Sequence, residues 1–521
     1  MNNVPTDIIS YSKLIKNPED FNFDWIVPED QFKYLAELLN QEMFQTLSEN
    51  NQINREVFFA DIKFFTNFIQ ILHAEIFRER IKKRGLNLSF GSYSKQYFFP
   101  DWSDLSNLTK QYQTNKKFPF LFKVKENIKN ILFNKHINIL NRFSKPINFE
   151  HAICVGVNSD LIEDYAKKHK LFIDFRYASN LLTASENSFS IDEEISSMIK
   201  KFVNNSSLTI KKKFDYNLNT NEIIPCWEKR LAYLKGLLLK FMEKKDTLPN
   251  FLLVNQTMQP LHRLLGSAFK MLGKNSVAFD HGNTSNNRNV FTYHIQPLNY
   301  NKIVTYGSQS TVSLKENLDT FKYKSFFKNL KFESAKDKSL YKNFQSCKNK
   351  KLPEKINTVM LVGWPMNSRR WHGESDGNFF FYKVLLEVNI LKYLKTLGYK
   401  VLYKIHPSRT QGISKIIKSL DVEIVKGNFE LTWKQADLIL FTHTSTTTFG
   451  HALTTNRKII LLDTEKPFWN KKNFEHLKKR CTVIDVSFSN GFSFSQEKLR
   501  SELKKTQNKN IDYSYVENYL I

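Results

Sequence analysis

Three short clusters in the last third of the chain carry side chains able to hold an anion. Lys404-Ile405-His406-Pro407 closes an apolar run. Pro407 turns the chain there and leaves the ammonium and imidazole at a strand tip, with Arg409 just beyond. Thr442-His443-Thr444-Ser445-Thr446-Thr447-Thr448 follows the run DLILF and leads into a helical pattern, so hydroxyls and backbone N–H groups gather at one point. Gly363 opens the loop GWPMNSRRWHGESDG, whose adjacent Arg369 and Arg370 suit a phosphate or a carboxylate. Each cluster also has a plainer reading, as a turn, a helix cap and a solvated basic loop. A cap needs one hydroxyl, however, and six of the seven residues from Thr442 carry one.

A proton acceptor would have to come from elsewhere. SVAFDHG places Asp280-His281-Gly282 at the end of an apolar run, and Asp160 follows HAICVGV and Ser159. Asp280, His281 and Asp160 are the candidates for a base that must come within hydrogen-bond reach of a reacting hydroxyl. A capping aspartate beside a satisfied histidine fits the same residues.

Several chemistries lose their usual support. The chain has no G-x-x-x-x-G-K-[ST] loop and no G-x-G-x-x-G after a strand, which disfavours an ATPase or a nicotinamide enzyme. It has no Asp-x-Asp; Glu374-Ser375-Asp376 comes nearest. No metal or cofactor is therefore expected, and His, Arg and hydroxyl donors would neutralise a phosphate unaided. Cys154, Cys226, Cys347 and Cys481 lie far apart, without the spacing of a zinc module or a secreted disulfide framework, which points to a reducing compartment. The formal charge of +26 suits a polyanion, an anionic membrane or acidic sugars. It is spread along a chain also rich in Asn, Ile and Phe, as coding bias would spread it, and no Arg-rich stripe marks a nucleic-acid surface. The opening residues lack the apolar core of a signal peptide, and no apolar run reaches the roughly 18 residues of a membrane span, so any membrane contact is expected to be peripheral.

The elements that must position these clusters follow from periodicity. Residues 1–145 read as mostly helical, with an amphipathic stretch over about 56–83. A strand and helix begin at 151, a helix covers 222–245, and strands fall at 251–256, 276–282 and 302–307. The Lys-rich segment 321–355 shows no strand signal and reads as a connection, with the cut near Leu352. Strands then recur at 358–363, 401–406, 422–427, 437–442 and 458–463, with a helix at about 380–397. This alternation predicts an α/β chain with two Rossmann-like, doubly wound parallel-sheet domains, 146–350 and 351–521, and a helical N-terminal region packed on the first. In such sheets ligands bind beyond the carboxyl ends of the strands, so the three clusters should share one edge.

The order of a strand ending in K-I-H-P, a second strand, A-D-L-I-L, a Ser/Thr cluster, a helix and I-I-L-L-D resembles the donor half of GT-B bacterial surface-polysaccharide enzymes. These include sialyltransferases with an HP motif, capsule Kdo transferases and CDP-glycerol glycerophosphotransferases. The match covers roughly residues 355–470. It implies a GT-B fold and a nucleotide-sugar co-substrate, CMP-linked, whose phosphate is met by His406, Ser445 and Thr446. Lys404, Pro407, Arg409, Thr444, Thr447, Gly363, Arg369 and Arg370 complete the expected donor-binding set. The family's acidic D/E-D/E-G motif is replaced here by Asp280-His281-Gly282, which leaves the base open among Asp280, His281 and Asp160. The expected partners are a nucleotide-sugar donor, a glycan or lipid-linked glycan acceptor and the anionic inner face of the cell membrane, reached from the cytoplasm, with no nucleic acid. A CDP-polyol phosphotransferase or a non-catalytic polyanion-binding protein would share the same motifs.

Overall fold

An apolar run buried at both odd and even positions can lie only in a sheet covered on two faces. The strand Thr358–Val362 is such a run: Val359 and Leu361 join one apolar cluster, Met360 and Val362 another. The structure, a computed structural model, describes residues 3–5, 29–89, 101–103, 105, 119–137, 146–182, 190–282, 295–363, 380–406, 413–444, 446–464, 469–488, 492–505 and 511–521.

Two short strands, β1 (Asn3–Pro5) and β2 (Asn87–Ser89), pair in parallel. A six-stranded sheet holds β3 (Glu150–Val155), β4 (Leu171–Phe175), β5 (Phe251–Val254), β6 (Asn275–Phe279), β7 (Lys302–Thr305) and β8 (Lys331–Ser334). Its order is β4-β3-β5-β6-β7-β8, and every pairing is parallel. A seven-stranded sheet holds β9 (Thr358–Val362), β10 (Lys400–Lys404), β11 (Glu423–Val425), β12 (Leu438–Phe441), β13 (Lys458–Asp463), β14 (Thr482–Phe488) and β15 (Phe492–Phe494). Its order is β11-β10-β9-β12-β13-β14-β15, with only β15 antiparallel. Counted in chain order, its first six strands run 3-2-1-4-5-6, the dinucleotide-fold order. The chain is thus α/β, with two doubly wound lobes.

Three expectations need correction. The Lys-rich segment does contain a strand: β8 pairs only with β7, and its residues are exposed or half-exposed, so it lacks the apolar signature of a central strand. Lysine on an edge also discourages further pairing. Residues 56–83 form two helices, Gln52–Ala60 and Ile62–Lys83, broken at Asp61. The second is not amphipathic over its first four turns: from Ile62 to Phe77 all but Lys63 and Glu75 are buried. β14 and β15 were not foreseen and extend the second sheet at its edge. The helices Glu29–Ser48 and Gln52–Ala60 pack on Glu193–Phe214 and Pro260–Met271 of the first lobe. The break is held by Arg230, whose guanidinium donates to both Asp61 oxygens at 2.6 and 2.7 Å, with both side chains buried.

The lobes meet through polar and apolar contacts. The helix Ser308–Thr320 follows β7 at its carboxyl end, and Lys471–Arg480 follows β13 at its own. Between them the Ser313 hydroxyl donates to Asn473 at 3.0 Å and the Asn470 amide to Asn317 at 3.1 Å, so the carboxyl edges of the two sheets face a common seam. The helix Ser514–Tyr519 returns from the second lobe to the first: the Ser310 hydroxyl donates to the Tyr519 carbonyl, and a Cβ on Gly307 would lie 2.7 Å from the Tyr519 backbone. No helix among the described residues is long and apolar enough to cross a membrane.

Candidate active site

The second sheet changes direction at β9: the chain moves to β10 and β11 on one side, then to β12 on the other. This is the switch point at which ligands of such sheets bind. Gly363 ends β9, Lys404-Ile405-His406 ends β10 and Thr442-His443-Thr444 ends β12, so three of the sequence clusters start at neighbouring strand tips. Pro407, Arg409, Ser445, Arg369 and Arg370 lie outside the described residues.

Gly363 has a steric role. A Cβ there would stand 2.2 Å from the Tyr403 hydroxyl, which is fixed by donation to the buried Glu387 carboxylate at 2.7 Å. Only hydrogen fits, so Gly363 lets Tyr403 pack directly on the backbone at the switch point. Lys404 is 4% exposed, and its ammonium donates to the Ile405 carbonyl at 2.9 Å. Burial lowers its pKa, and Glu430 opposes that shift. His451, on the helix Thr447–Leu453, is also buried and shifted down by burial, again opposed by Glu430. Two basic groups thus flank one carboxylate behind the strand tips. In the hydroxyl cluster the cap is Thr446, whose oxygen accepts from the Thr448 amide at 3.3 Å. Accepting that bond leaves the Thr446 O–H proton for another acceptor. Thr442 and Thr444 are buried, and Thr447 is exposed.

On the first lobe the strand tips of β3, β5, β6 and β7 carry Gly156, Asn255, Asp280 and Tyr306. The switch point lies between β3 and β5, and Asn255 locks it. Its amide accepts from Val157 N at 3.0 Å and donates to the Val157 carbonyl, while Gly156 adopts φ +113° with room for no Cβ against Asn255. Asp280 is 4% exposed, and its carboxylate accepts from Gly282 N at 3.0 Å. That tight turn leaves His281 on the exposed side of the strand tip. Asp160 is on the first turn of the helix Asp160–Lys168, where it accepts from Ser339 N at 2.7 Å.

Two parallel-sheet lobes facing each other across their carboxyl edges, with a last helix that returns to the first lobe, define a known architecture. The fold is GT-B. No protein-family model matches the sequence, and no curated protein matches it. Among solved structures, the Methanocaldococcus jannaschii UDP-GlcNAc 2-epimerase in complex with UDP-GlcNAc and UDP is similar with a TM-score of 0.37 at 13% identity, over 71% of this chain and 98% of that one. Arabidopsis thaliana UGT89C1 complexed with UDP-L-rhamnose is similar with a TM-score of 0.34 at 9% identity, over 75% of this chain and 88% of that one.

Sequence reasoning missed two residues of this GT-B cleft. Asn255 stood directly after FLLV, where any residue at a strand end should have been weighed. Asp337 was hidden in the Lys-rich segment. It caps the helix Lys338–Cys347 by accepting from Leu340 N at 2.8 Å, and it adjoins Asp160. Burial, followed by the Asp160 charge, raises its pKa to about 6. Tyr306 is buried within electrostatic reach of Asp280, Asp337 and Asp160, and its pKa is held well above the usual range, burial being the main cause. Among the described residues no group of three or more His, Cys, Asp or Glu could hold a metal ion.

The Asp337 shift has a definite sign. Between about pH 4 and 6 the folded protein holds a proton that the unfolded chain releases, so this carboxyl lowers stability as pH rises through that window. Asp337→Asn keeps a capping oxygen and cannot ionise. Its stability relative to wild type should grow from pH 4 to 6 and level off above, by about 2–3 kcal/mol. Urea midpoints across that range measure it; a pH-independent difference would refute the shift.

Proposed function

We propose that the protein is a metal-independent glycosyltransferase that moves a sugar from a nucleotide donor, CMP-linked and acidic, onto a bacterial surface glycan or lipid-linked glycan at the cytoplasmic face of the membrane. The observation that carries this reading is the convergence of Gly363, Lys404-His406 and Thr442-His443-Thr444 on one switch point, on an edge that faces the Asp280-His281 lobe. In this reading His281 takes the proton of the acceptor hydroxyl, and the freed oxygen attacks the anomeric carbon. The bond from that carbon to the phosphate oxygen breaks, and the nucleotide leaves with its electron pair. Lys404, His406 and Thr446 hold the charge that develops on the phosphate. Asp280 positions His281 through the turn it makes with Gly282 N.

The nucleotide is the part most readily tested. CMP and CDP should raise the melting temperature of the purified protein, by mass action on the folded state. GDP should not. A response to UDP alone would overturn the cytidine assignment, and no response to any nucleotide would overturn the donor site itself.

A further inference from the structure

The first lobe has a second concavity, at the amino-terminal edge of its sheet and away from the strand tips just described. A cavity of about 550 Å³ opens between the helix Gln52–Ala60, the last turn of Pro260–Met271, the loop before β7 and the segment before β8. That volume lies within the roughly 300–1,000 Å³ typical of small-ligand sites.

Its base is fixed by a buried network. Glu56, 5% exposed, accepts from the Lys270 ammonium at 2.6 Å, the Ser267 hydroxyl at 2.8 Å and the Asn299 amide at 3.2 Å. Lys270 also donates to the Leu298 carbonyl at 2.8 Å. Two of the three ammonium protons are used, and the third is left for a ligand. The walls carry Phe59 and Phe326, edge to face at 5.5 Å, with Ser48, Gln52 and Asn329 beside them.

The rim is strongly and singly charged. Arg55 and Lys328 line the cavity, and Lys322, Lys324 and Lys331 follow the same stretch of chain. None of these five is in an ion pair among the described residues, whereas Lys270 is the one basic lining group with an acid beside it. This is the Lys-rich segment that reads in sequence as a mere connection. Unpaired cations, fixed amide and hydroxyl groups and aromatic edges together suit a sugar that bears negative charge.

We propose that this cavity is a second binding site, distinct from the strand-tip cleft, for an acidic glycan, one carrying carboxylates or phosphates. Its assignment to the growing acceptor rests on the glycosyltransferase reading; its binding chemistry does not.

The test uses the full chain and calorimetry, with oligogalacturonate as the carboxylated probe, maltohexaose as the neutral control and inorganic phosphate as the free anion. Oligogalacturonate should bind in a salt-dependent manner, and maltohexaose should not. Arg55→Gln combined with Lys328→Gln should weaken binding by about tenfold or more. The same pair should leave the melting temperature and the nucleotide response unchanged, since neither side chain supports the fold. Lys270 is left intact, because its removal would strand the Glu56 charge. Equal affinity for the neutral sugar, an unchanged affinity in the double variant, or binding of phosphate as tight as that of the glycan would each overturn the proposal. Glycan binding without any nucleotide response would uphold this site and sink the transferase reading; the converse result would do the reverse.

Discussion

His281→Gln should lower turnover by about 100- to 10,000-fold, the range for loss of a general base, and leave the nucleotide-dependent rise in melting temperature intact. The separation follows from geography. His281 sits at the tip of β6 in the first lobe, whereas Gly363, Lys404 and Thr446 sit on the second sheet. The side chain is exposed and the turn beneath it is made by Asp280 and Gly282 N, so the substitution removes a titratable nitrogen without unmaking the turn. Asp280→Asn keeps an oxygen for Gly282 N and should have a smaller effect, on turnover rather than on nucleotide binding. Initial rates with any donor that stabilises the protein, measured against acceptor concentration, decide the matter. Retention of full turnover in His281→Gln would move the base to Asp337, whose pKa is raised to about 6 and which lies on the same lobe.

The largest loss of stability should come from Asp61→Ala. Asp61 is fully buried and meets Arg230 through two hydrogen bonds, and the guanidinium also stacks on Phe64 at 4.4 Å. Removing the carboxylate takes its two-oxygen counter-charge from a buried cation, which costs about 3–5 kcal/mol. It also removes the contact that holds the break between the helices Gln52–Ala60 and Ile62–Lys83. A urea titration gives the magnitude. Asp61→Leu combined with Arg230→Met should recover most of the loss, because a well-packed apolar pair avoids the desolvation of both ions. A loss below about 1 kcal/mol in the single variant would mean that water reaches Arg230.

What the sequence disclosed and what it concealed divide along physical lines. β9, β10, β12 and β13 are buried on both faces, and such runs of Val, Ile and Leu stand out from their polar surroundings. The same clarity placed Gly363, His406 and the threonines at strand ends. β8 and β14 are edge or near-edge strands whose exposed positions carry Lys, Glu, Ser and Asp, so their composition blends with that of loops. The break at Asp61 was invisible because apolar spacing continues through it, and a buried acid reveals itself only with its partner, 169 positions away. Asp337 depends likewise on which loops meet. That depends on strand order, which no local pattern encodes.

The contacts between the lobes differ in how they resist parting. At the carboxyl edges the lobes touch through Ser313, Asn317, Asn470 and Asn473, neutral groups that exchange one another for water at little net cost. Elsewhere Asn343 donates to Thr454 just past the helix Thr447–Leu453, and Phe344 packs edge to face on Tyr513 at 5.3 Å. Separation there would wet aromatic surface, at about 25 cal/mol for each Å² uncovered. Of these contacts the amide pairs are thus the easier to exchange for water, and Phe344 on Tyr513 the harder to part.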